Sequence, residues 1–219
     1  MSGVCCASAM VRCEMIDRYA LHYLRPVISA AAARVHAMGC NADQITLAGF
    51  GLGMAAAGMI WMGWMAVAII PLLANRFLDG LDGAVARLCG TTDRGAFLDI
   101  GLDFLFYAAV PLAFGLHAPD HNALAAAVLL AAFVSTGTSF LAFAVIAEKR
   151  GLKSTAYPSK SFYYLGGLTE GTETIACFLA MCLWPASFPL IAYVYAAMCA
   201  VTTVTRLVAG WRMFGADAR

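Results

Sequence analysis

The apolar residues of this chain fall into six long runs separated by short polar segments. An α-helix of about 20 apolar residues is long enough to cross the hydrocarbon core of a bilayer. The pattern is therefore typical of a polytopic membrane protein, and it predicts an all-α fold, a bundle of six transmembrane helices. The predicted spans are Ile45–Trp61, Trp64–Leu81, Ala96–Leu116, Asn122–Ala147, Phe162–Trp184 and Phe188–Ala209.

An amphipathic segment precedes the first predicted span. Between Met10 and Ala37 the apolar residues recur on one face of a helix, and charged and polar residues occupy the other face. A helix of this kind lies in the interface between membrane and water. The sequence thus predicts an N-terminal interfacial helix within a cytoplasmic segment (residues 1–40), then the six-helix membrane domain (residues 41–214) and a short cytoplasmic tail (residues 215–219).

Composition supports the membrane assignment and excludes other classes of protein. Hydrophobic residues make up 62% of the 219 residues and charged residues 12%, with a mean hydropathy of +0.78. Soluble proteins are about 25% charged, and one core of this size could not bury so much apolar surface. The net charge of +1 creates no field that attracts a polyanion, so no nucleic-acid partner is expected.

The positive charges predict the orientation in the membrane. All 14 Lys and Arg residues lie before the first span, between the cores of the second and third, between the fourth and fifth, or towards the end of the chain. The loops on the opposite side carry none. Because Lys and Arg accumulate on the cytoplasmic side, both termini and the segment between the second and third spans are predicted to be cytoplasmic.

Acidic residues concentrate where the second and third predicted spans approach this cytoplasmic side. Asp79 and Asp82 are three residues apart, and Asp99 and Asp103 are four apart, so each pair shares one helix face. If the two helices face each other, the four carboxylates form an oxygen-ligand site suited to Mg²⁺ or Mn²⁺. The competing interpretation, helix caps paired with nearby arginines, explains Asp93 but not two matched pairs on apolar helices.

Eight residues in this segment carry a resemblance to a known family. Their spacing, D-x2-D-G-x2-A-R-x7-G-x3-D-x3-D, resembles the signature of the CDP-alcohol phosphotransferases, which usually has eight residues rather than seven between Arg and Gly. The segment from Asn41 to Thr46 is similar to the family's lead-in to its first membrane helix. With the six spans and the amphipathic helix, the resemblance covers nearly the whole chain. The eight residues are Asp79, Asp82, Gly83, Ala86, Arg87, Gly95, Asp99 and Asp103.

The resemblance implies a reaction and a set of roles. A CDP-alcohol donates its substituted phosphoryl group to a hydroxyl acceptor, and CMP leaves. Two divalent ions, Mg²⁺ or Mn²⁺, stabilise the attacking and leaving oxygens, and Asp103 also acts as the catalytic base on the acceptor hydroxyl. The implied metal ligands are Asp79, Asp82, Asp99 and Asp103. The implied contacts to the CDP part are Gly83, Ala86, Arg87, Thr92, Asp43, Gln44 and Thr46. By analogy with relatives, a homodimer is expected.

The acceptor side has weaker signals. Glu170 and Glu173 lie three residues apart in the fifth predicted span and suit an acceptor pocket or a site for a cationic headgroup, or they hydrogen-bond to nearby threonines and neighbouring helices. Lys160 belongs to a basic loop that topology alone would explain. Arg206, inside the sixth span, resembles the arginine with which phosphatidyl-transferring members bind a phosphorylated acceptor.

Three functions therefore remain open from the sequence. We favour a phospholipid-synthesising transferase that uses CDP-diacylglycerol as donor. The enzymatic alternative transfers a CDP-linked headgroup, such as choline or ethanolamine, to diacylglycerol. An alternative of another class is a cation or proton transporter that uses the aspartates as its ion site, although a transporter does not require Gly83, Ala86 and Arg87 at these offsets.

Overall fold

The structure, a computed structural model, describes residues 28–151, 169 and 171–215. Within these ranges the chain is helical apart from short turns and contains no strand, which confirms the all-α prediction. The glycines Gly63 and Gly90, which separate successive helices, have positive φ angles of 87° and 94° that glycine adopts without strain. The helices are α1 (28–37), α2 (Ala42–Trp61), α3 (Met65–Cys89), α4 (Asp93–His117), α5 (Pro119–Lys149), α6 (Gly171–Leu183) and α7 (Phe188–Gly215), with a 3-10 turn at Pro185–Ser187.

The number of membrane spans differs from the prediction. Four helices within the described ranges, α2, α4, α5 and the segment Pro185–Gly215 that contains α7, are long and apolar enough to cross a membrane, so the structure supports four candidate spans rather than six. Helix α3 is excluded because Arg76, Asp79 and Asp82 interrupt its apolar sequence. Helix α6 has only 13 residues, and the start of the predicted span Phe162–Trp184 lies outside the described residues.

The predicted N-terminal amphipathic helix can be compared with the structure only in its last third. Residues 28–37 are helical, and the preceding part, from Met10 to residue 27, lies outside the described residues. Ala32 of α1 is completely buried in a cluster with Ile45 of α2 and Val85 of α3. This cluster holds the beginning of α2 beside the end of α3.

The chain divides after Ala113 into two compact units. In the first unit, α2 and α3 run in opposite directions, because Thr46 contacts Asp82 while the later Gly49 contacts the earlier Asn75. Phe106 of α4 is 1% exposed and packs against α2 at Gly53. The first unit thus places the acidic residues of α3 and α4 next to the first turns of α2.

The second unit has its own core. Phe114, at the end of α4, stacks on Phe188 at the beginning of α7, with ring centroids 4.6 Å apart. The buried amide of Asn122 in α5 donates a hydrogen bond to the Phe114 carbonyl oxygen (3.0 Å). The hydroxyl groups of Thr174 in α6 and Tyr195 in α7 form a hydrogen bond at 2.8 Å. Aromatic packing and buried hydrogen bonds therefore connect the helices of this unit.

Candidate active site

Three aspartates of the sequence motif meet in the first unit. Asp79, Asp99 and Asp103 each offer one carboxylate oxygen, and these three oxygens lie within 4.8 Å of one another. Asp99 and Asp103 are one turn apart on α4, and α3 supplies Asp79 from the facing helix. Carboxylate oxygens at this spacing fit a hard divalent cation such as Mg²⁺ or Mn²⁺.

The three aspartates line a cleft of about 270 Å³ within the first unit. Carboxylates and apolar side chains share the lining of this cleft. The lining residues are Thr46, Gly49, Phe50, Asn75, Asp79, Asp82, Asp99, Leu102, Asp103 and Phe106. All four predicted metal ligands thus line one cleft, and Thr46 is the predicted CDP contact that joins them.

Asp82 differs from the other three aspartates. It is 5% exposed, and its Oδ2 accepts a hydrogen bond from the Thr46 hydroxyl group at 2.5 Å. Asp82 lies outside the four candidate spans, and its burial raises the pKa of the carboxyl group from 3.8 to about 7. The Thr46 hydrogen bond opposes this rise, and the carboxylates of Asp79 and Asp99 add to it.

Two arginines neutralise part of the acidic charge. Arg76 donates to Asp79 across one turn of α3, and Arg94 forms an ion pair with Asp43 at the beginning of α2. Clustered carboxylates repel one another unless cations lie close by. The Arg94–Asp43 pair also links the start of α4 to the start of α2.

The remaining predicted CDP contacts surround the ends of α2, α3 and α4. A Cβ atom at Gly95 would lie 3.2 Å from Asp43 Oδ1 and 3.1 Å from Thr92 Oγ1, so glycine permits the close approach of these helix starts. Thr92 Oγ1 accepts a hydrogen bond from the Gly95 backbone nitrogen (3.1 Å). Gln44 Oε1 accepts from the Asn41 backbone nitrogen (3.1 Å), which is a helix-capping contact.

The other motif residues follow the face of α3. The guanidinium group of the exposed Arg87 lies over Gly83, since a Cβ atom at Gly83 would be 3.5 Å from Arg87 Nη1. Ala86 is partly buried one residue earlier. The seven-residue interval between Arg87 and Gly95 still lets α4 place Asp99 and Asp103 beside Asp79.

The predicted acceptor residues are only partly covered by the structure. Lys160 and Glu170 lie outside the described residues, and Glu173 is partly buried in the first turn of α6. Arg206 belongs to the second unit, where it is 7% exposed. Its Nη1 donates to the carbonyl oxygen (3.2 Å) and to Oγ1 (3.3 Å) of Thr136, and its guanidinium group lies 5.5 Å from the Phe140 ring.

Two residues of this site were not predicted from the sequence. Asn75 lines the cleft and is 8% exposed, while Arg76, which the sequence assigns only to membrane orientation, contacts Asp79. A signal for both was present: they are polar residues inside the predicted span Trp64–Leu81, and polar groups at membrane depth are costly enough to indicate function.

Comparison with known proteins gives consistent results. A family model described as CDP-alcohol phosphatidyltransferase matches residues 40–208. The Inner membrane protein YnjF of Escherichia coli is 49% identical over 197 residues, which span 90% of this chain and 96% of that protein. The archaetidylinositol phosphate synthase of Pyrococcus horikoshii is 32% identical over 95 residues, which span 41% of this chain and 50% of that protein.

Solved structures share the fold. The phosphatidylinositol phosphate synthase of Mycobacterium tuberculosis with CDP-DAG bound has a TM-score of 0.69 at 23% identity, covering 85% of this chain and 94% of that chain. The same synthase in complex with manganese and citrate has a TM-score of 0.68 at 23% identity, covering 84% of this chain and 88% of that chain.

Proposed function

Because this chain belongs to the CDP-alcohol phosphatidyltransferase family, whose members are membrane transferases of phospholipid synthesis, we propose that it acts on a CDP-alcohol. It transfers the substituted phosphoryl group of the donor to a hydroxyl acceptor and releases CMP. The observation that carries this proposal is the group of three carboxylate oxygens within 4.8 Å, in a cleft lined by motif residues.

The favoured donor is CDP-diacylglycerol. One solved relative has CDP-DAG bound, and two relatives are a phosphatidylinositol phosphate synthase and an archaetidylinositol phosphate synthase. Inositol phosphate is therefore the first acceptor to test. Transfer of a CDP-linked headgroup to diacylglycerol remains the alternative within the enzyme class, while the family assignment favours an enzyme over a transporter.

Divalent cations belong to this proposal. The metal would be Mg²⁺ or Mn²⁺, held by Asp79, Asp99 and Asp103, with Asp82 in the same cleft as the fourth ligand of a two-ion site. A relative's complex with manganese supports this choice of metal class. When bound, such ions would neutralise the pyrophosphate and stabilise the oxygens between which the phosphoryl group moves.

The protein's own residues would supply orientation and proton transfer. Asp103 takes the proton of the acceptor hydroxyl, whose oxygen forms a bond to the distal phosphorus as the bond between that phosphorus and the CMP oxygen breaks. Arg87 and the backbone at Gly83 and Ala86 contact the nucleotide. The first turn of α2, with Asp43, Gln44 and Thr46, and the helix start at Thr92 would enclose its cytidine part.

The proposed acceptor contacts lie between residues 160 and 206 of the chain. A phosphorylated acceptor suits the guanidinium group of Arg206, because a guanidinium group can donate several N–H groups to phosphate oxygens. Glu170, Glu173 and Lys160 are proposed as further acceptor contacts. In the six-span topology predicted from the sequence, the distribution of Lys and Arg favours a cytoplasmic site in the membrane domain proposed for residues 41–214. A homodimer is proposed on the analogy with relatives.

The test is release of CMP by the purified protein. We expect CMP from CDP-diacylglycerol with inositol phosphate or another small hydroxyl acceptor in the presence of Mn²⁺ or Mg²⁺, and none after chelation. CDP-choline with diacylglycerol tests the alternative, and lipid mass spectrometry identifies the product.

Two variants separate the site from the rest of the protein. Asp79→Asn removes one member of the carboxylate cluster and should abolish CMP release. Asp120→Asn, a matched change in the first turn of α5, should leave it unchanged. Ion flux through liposomes without CMP release from any CDP-alcohol would contradict the proposed function and support a transporter.

A further inference from the structure

Asn75 is a buried polar residue of the cleft for which the proposed reaction has no role. It lies on α3 one turn before Asp79 and is 8% exposed. Its side-chain Nδ2 donates a hydrogen bond to the backbone carbonyl oxygen of Gly49 on α2 at 2.9 Å. This donation fixes the orientation of the amide, because a carbonyl oxygen can pair only with the NH₂ group.

The contact occurs at a close approach of α2 and α3. A Cβ atom at Gly49 would lie 3.2 Å from Leu78 Cβ, and one at Gly53 would lie 3.1 Å from Asn75 Nδ2. The two glycines, one turn apart, therefore leave a groove on α2 that the Asn75 amide occupies. Small residues at helix contacts and polar groups that bridge them are the features that set helix association in membranes.

A second polar contact lies further along the same two helices, one turn away on α2 and two turns away on α3. Thr46 donates to Asp82 Oδ2 at 2.5 Å, and Thr46 precedes Gly49 by three residues, while Asp82 follows Asn75 by seven. Since α2 and α3 are antiparallel, the two contacts belong to one interface between these helices. A shift of α2 along or around α3 that breaks the Asn75 contact would move Thr46 away from Asp82.

We infer that Asn75 is a positioning residue, which holds α2 in the register that places Thr46 beside Asp82 and Asp43 beside Arg94. The inference rests on the proposed function, in which the first turn of α2 contacts the CDP part. It separates two properties of the site: the carboxylates of α3 and α4 bind metal without Asn75, whereas binding of the nucleotide depends on it.

The test compares two buried asparagines. Asn75→Leu keeps the size of the side chain and removes the amide. Asn122→Leu is the matched control, because Asn122 is 7% exposed and donates its amide to the Phe114 carbonyl oxygen at 3.0 Å in the second unit. Asn75→Ala is measured in parallel, so that the result does not depend on one replacement fitting between the helices, and thermal unfolding in detergent establishes that each variant is folded.

Three quantities are measured: Mn²⁺ binding by electron paramagnetic resonance, CDP binding to the Mn²⁺-loaded protein by calorimetry, and kcat and KM for CDP-diacylglycerol. For Asn75→Leu and Asn75→Ala we expect CDP binding to weaken, and KM to rise, by about three- to fifteenfold, the range that one interhelical hydrogen bond accounts for. Mn²⁺ binding without nucleotide should be unchanged, and Asn122→Leu should match the wild type in all three.

A double variant tests whether Asn75 acts through Thr46. If it does, Thr46→Val combined with Asn75→Leu should weaken CDP binding no more than Thr46→Val alone. Additive losses, loss of Mn²⁺ affinity in Asn75→Leu, or equal behaviour of Asn75→Leu and Asn122→Leu would each overturn the inference while wild-type CMP release leaves the proposed function intact. A wild-type protein that neither binds CDP nor releases CMP would overturn both.

Discussion

Asp103 lies one turn beyond Asp99 on α4, and both carboxylates share a cluster with Asp79. If Asp103 removes the acceptor's proton, Asp103→Asn should keep measurable affinity for the CDP-alcohol, because the amide oxygen still faces the site. The value of kcat should fall by at least about 10²-fold, the usual contribution of general-base catalysis. Calorimetric binding of the donor, measured beside turnover, checks this division.

Asp79→Asn is the reference for the Asp103 prediction. In the proposed mechanism Asp79 binds metal and has no proton-transfer role, so binding of Mn²⁺ and of CDP should weaken together. Normal turnover in Asp103→Asn, or a loss of nucleotide binding as complete as in Asp79→Asn, would show that the two aspartates do not have different roles.

Asp82 makes the stability of the metal-free protein depend on pH. Its pKa is about 7 in the folded protein against an ordinary value of 3.8, so between these values the folded state binds a proton that the unfolded state does not. The free energy of unfolding should therefore decrease as the pH rises from about 4 to about 7 and then level off. Thermal unfolding in detergent with a chelator measures this slope.

Asp82→Asn provides the control for the pH dependence, because an amide is neutral throughout and mimics the protonated acid. The variant should show a smaller slope over the same range and a higher unfolding temperature than the wild type at pH 8. An unchanged slope would assign the pH dependence to other groups.

At the scale of the helices, close packing around the groove of α2 limits which side chains can replace Gly53. A Cβ atom at Gly53 would lie 2.7 Å from Phe106 Cδ2 and 3.1 Å from Asn75 Nδ2, and Phe106 is 1% exposed. Gly53→Ala should therefore lower the free energy of unfolding by about 1–3 kcal/mol, as overpacking of a core does. Unfolding in denaturant measures the change.

Gly51 of the same helix is the matched control. A Cβ atom there meets nothing within 4 Å, and alanine forms helices better than glycine by about 1 kcal/mol. Gly51→Ala should thus leave the stability unchanged or raise it slightly. Equal destabilisation by both substitutions would mean that packing against Phe106 does not decide the outcome.

At the scale of the whole molecule, the distribution of charge predicts the orientation in the membrane. In the six-span topology predicted from the sequence, all 14 Lys and Arg residues lie on one side and the opposite loops carry none, so that topology predicts cytoplasmic termini. A green fluorescent protein fused after Arg219 should fluoresce in bacterial cells, and a periplasmic reporter enzyme inserted at residues 117–121 should be active. Reporter activity with the opposite pattern would contradict this orientation and the cytoplasmic site.

The sequence by itself determined the helical class, the family and the position of the acidic motif. Apolar runs predict helices because burying a helix in lipid depends mainly on length and hydrophobicity, which are local properties. The spacing of Asp79, Asp82, Asp99 and Asp103 places each pair on one helix face, since the helical period is fixed. The family match over residues 40–208 confirms the resemblance that these residues carry.

Only the tertiary structure decided how the motif residues are arranged and what supports them. It brings Asp79, Asp99 and Asp103 together while Asp82 pairs with Thr46, and it places Asn75 against Gly49. The sequence predicted neither pairing, because each joins residues 26 to 36 positions apart through the packing of two helices. The six predicted spans also exceed the four candidate spans of the described residues, because Arg76, Asp79 and Asp82 interrupt the apolar sequence of α3.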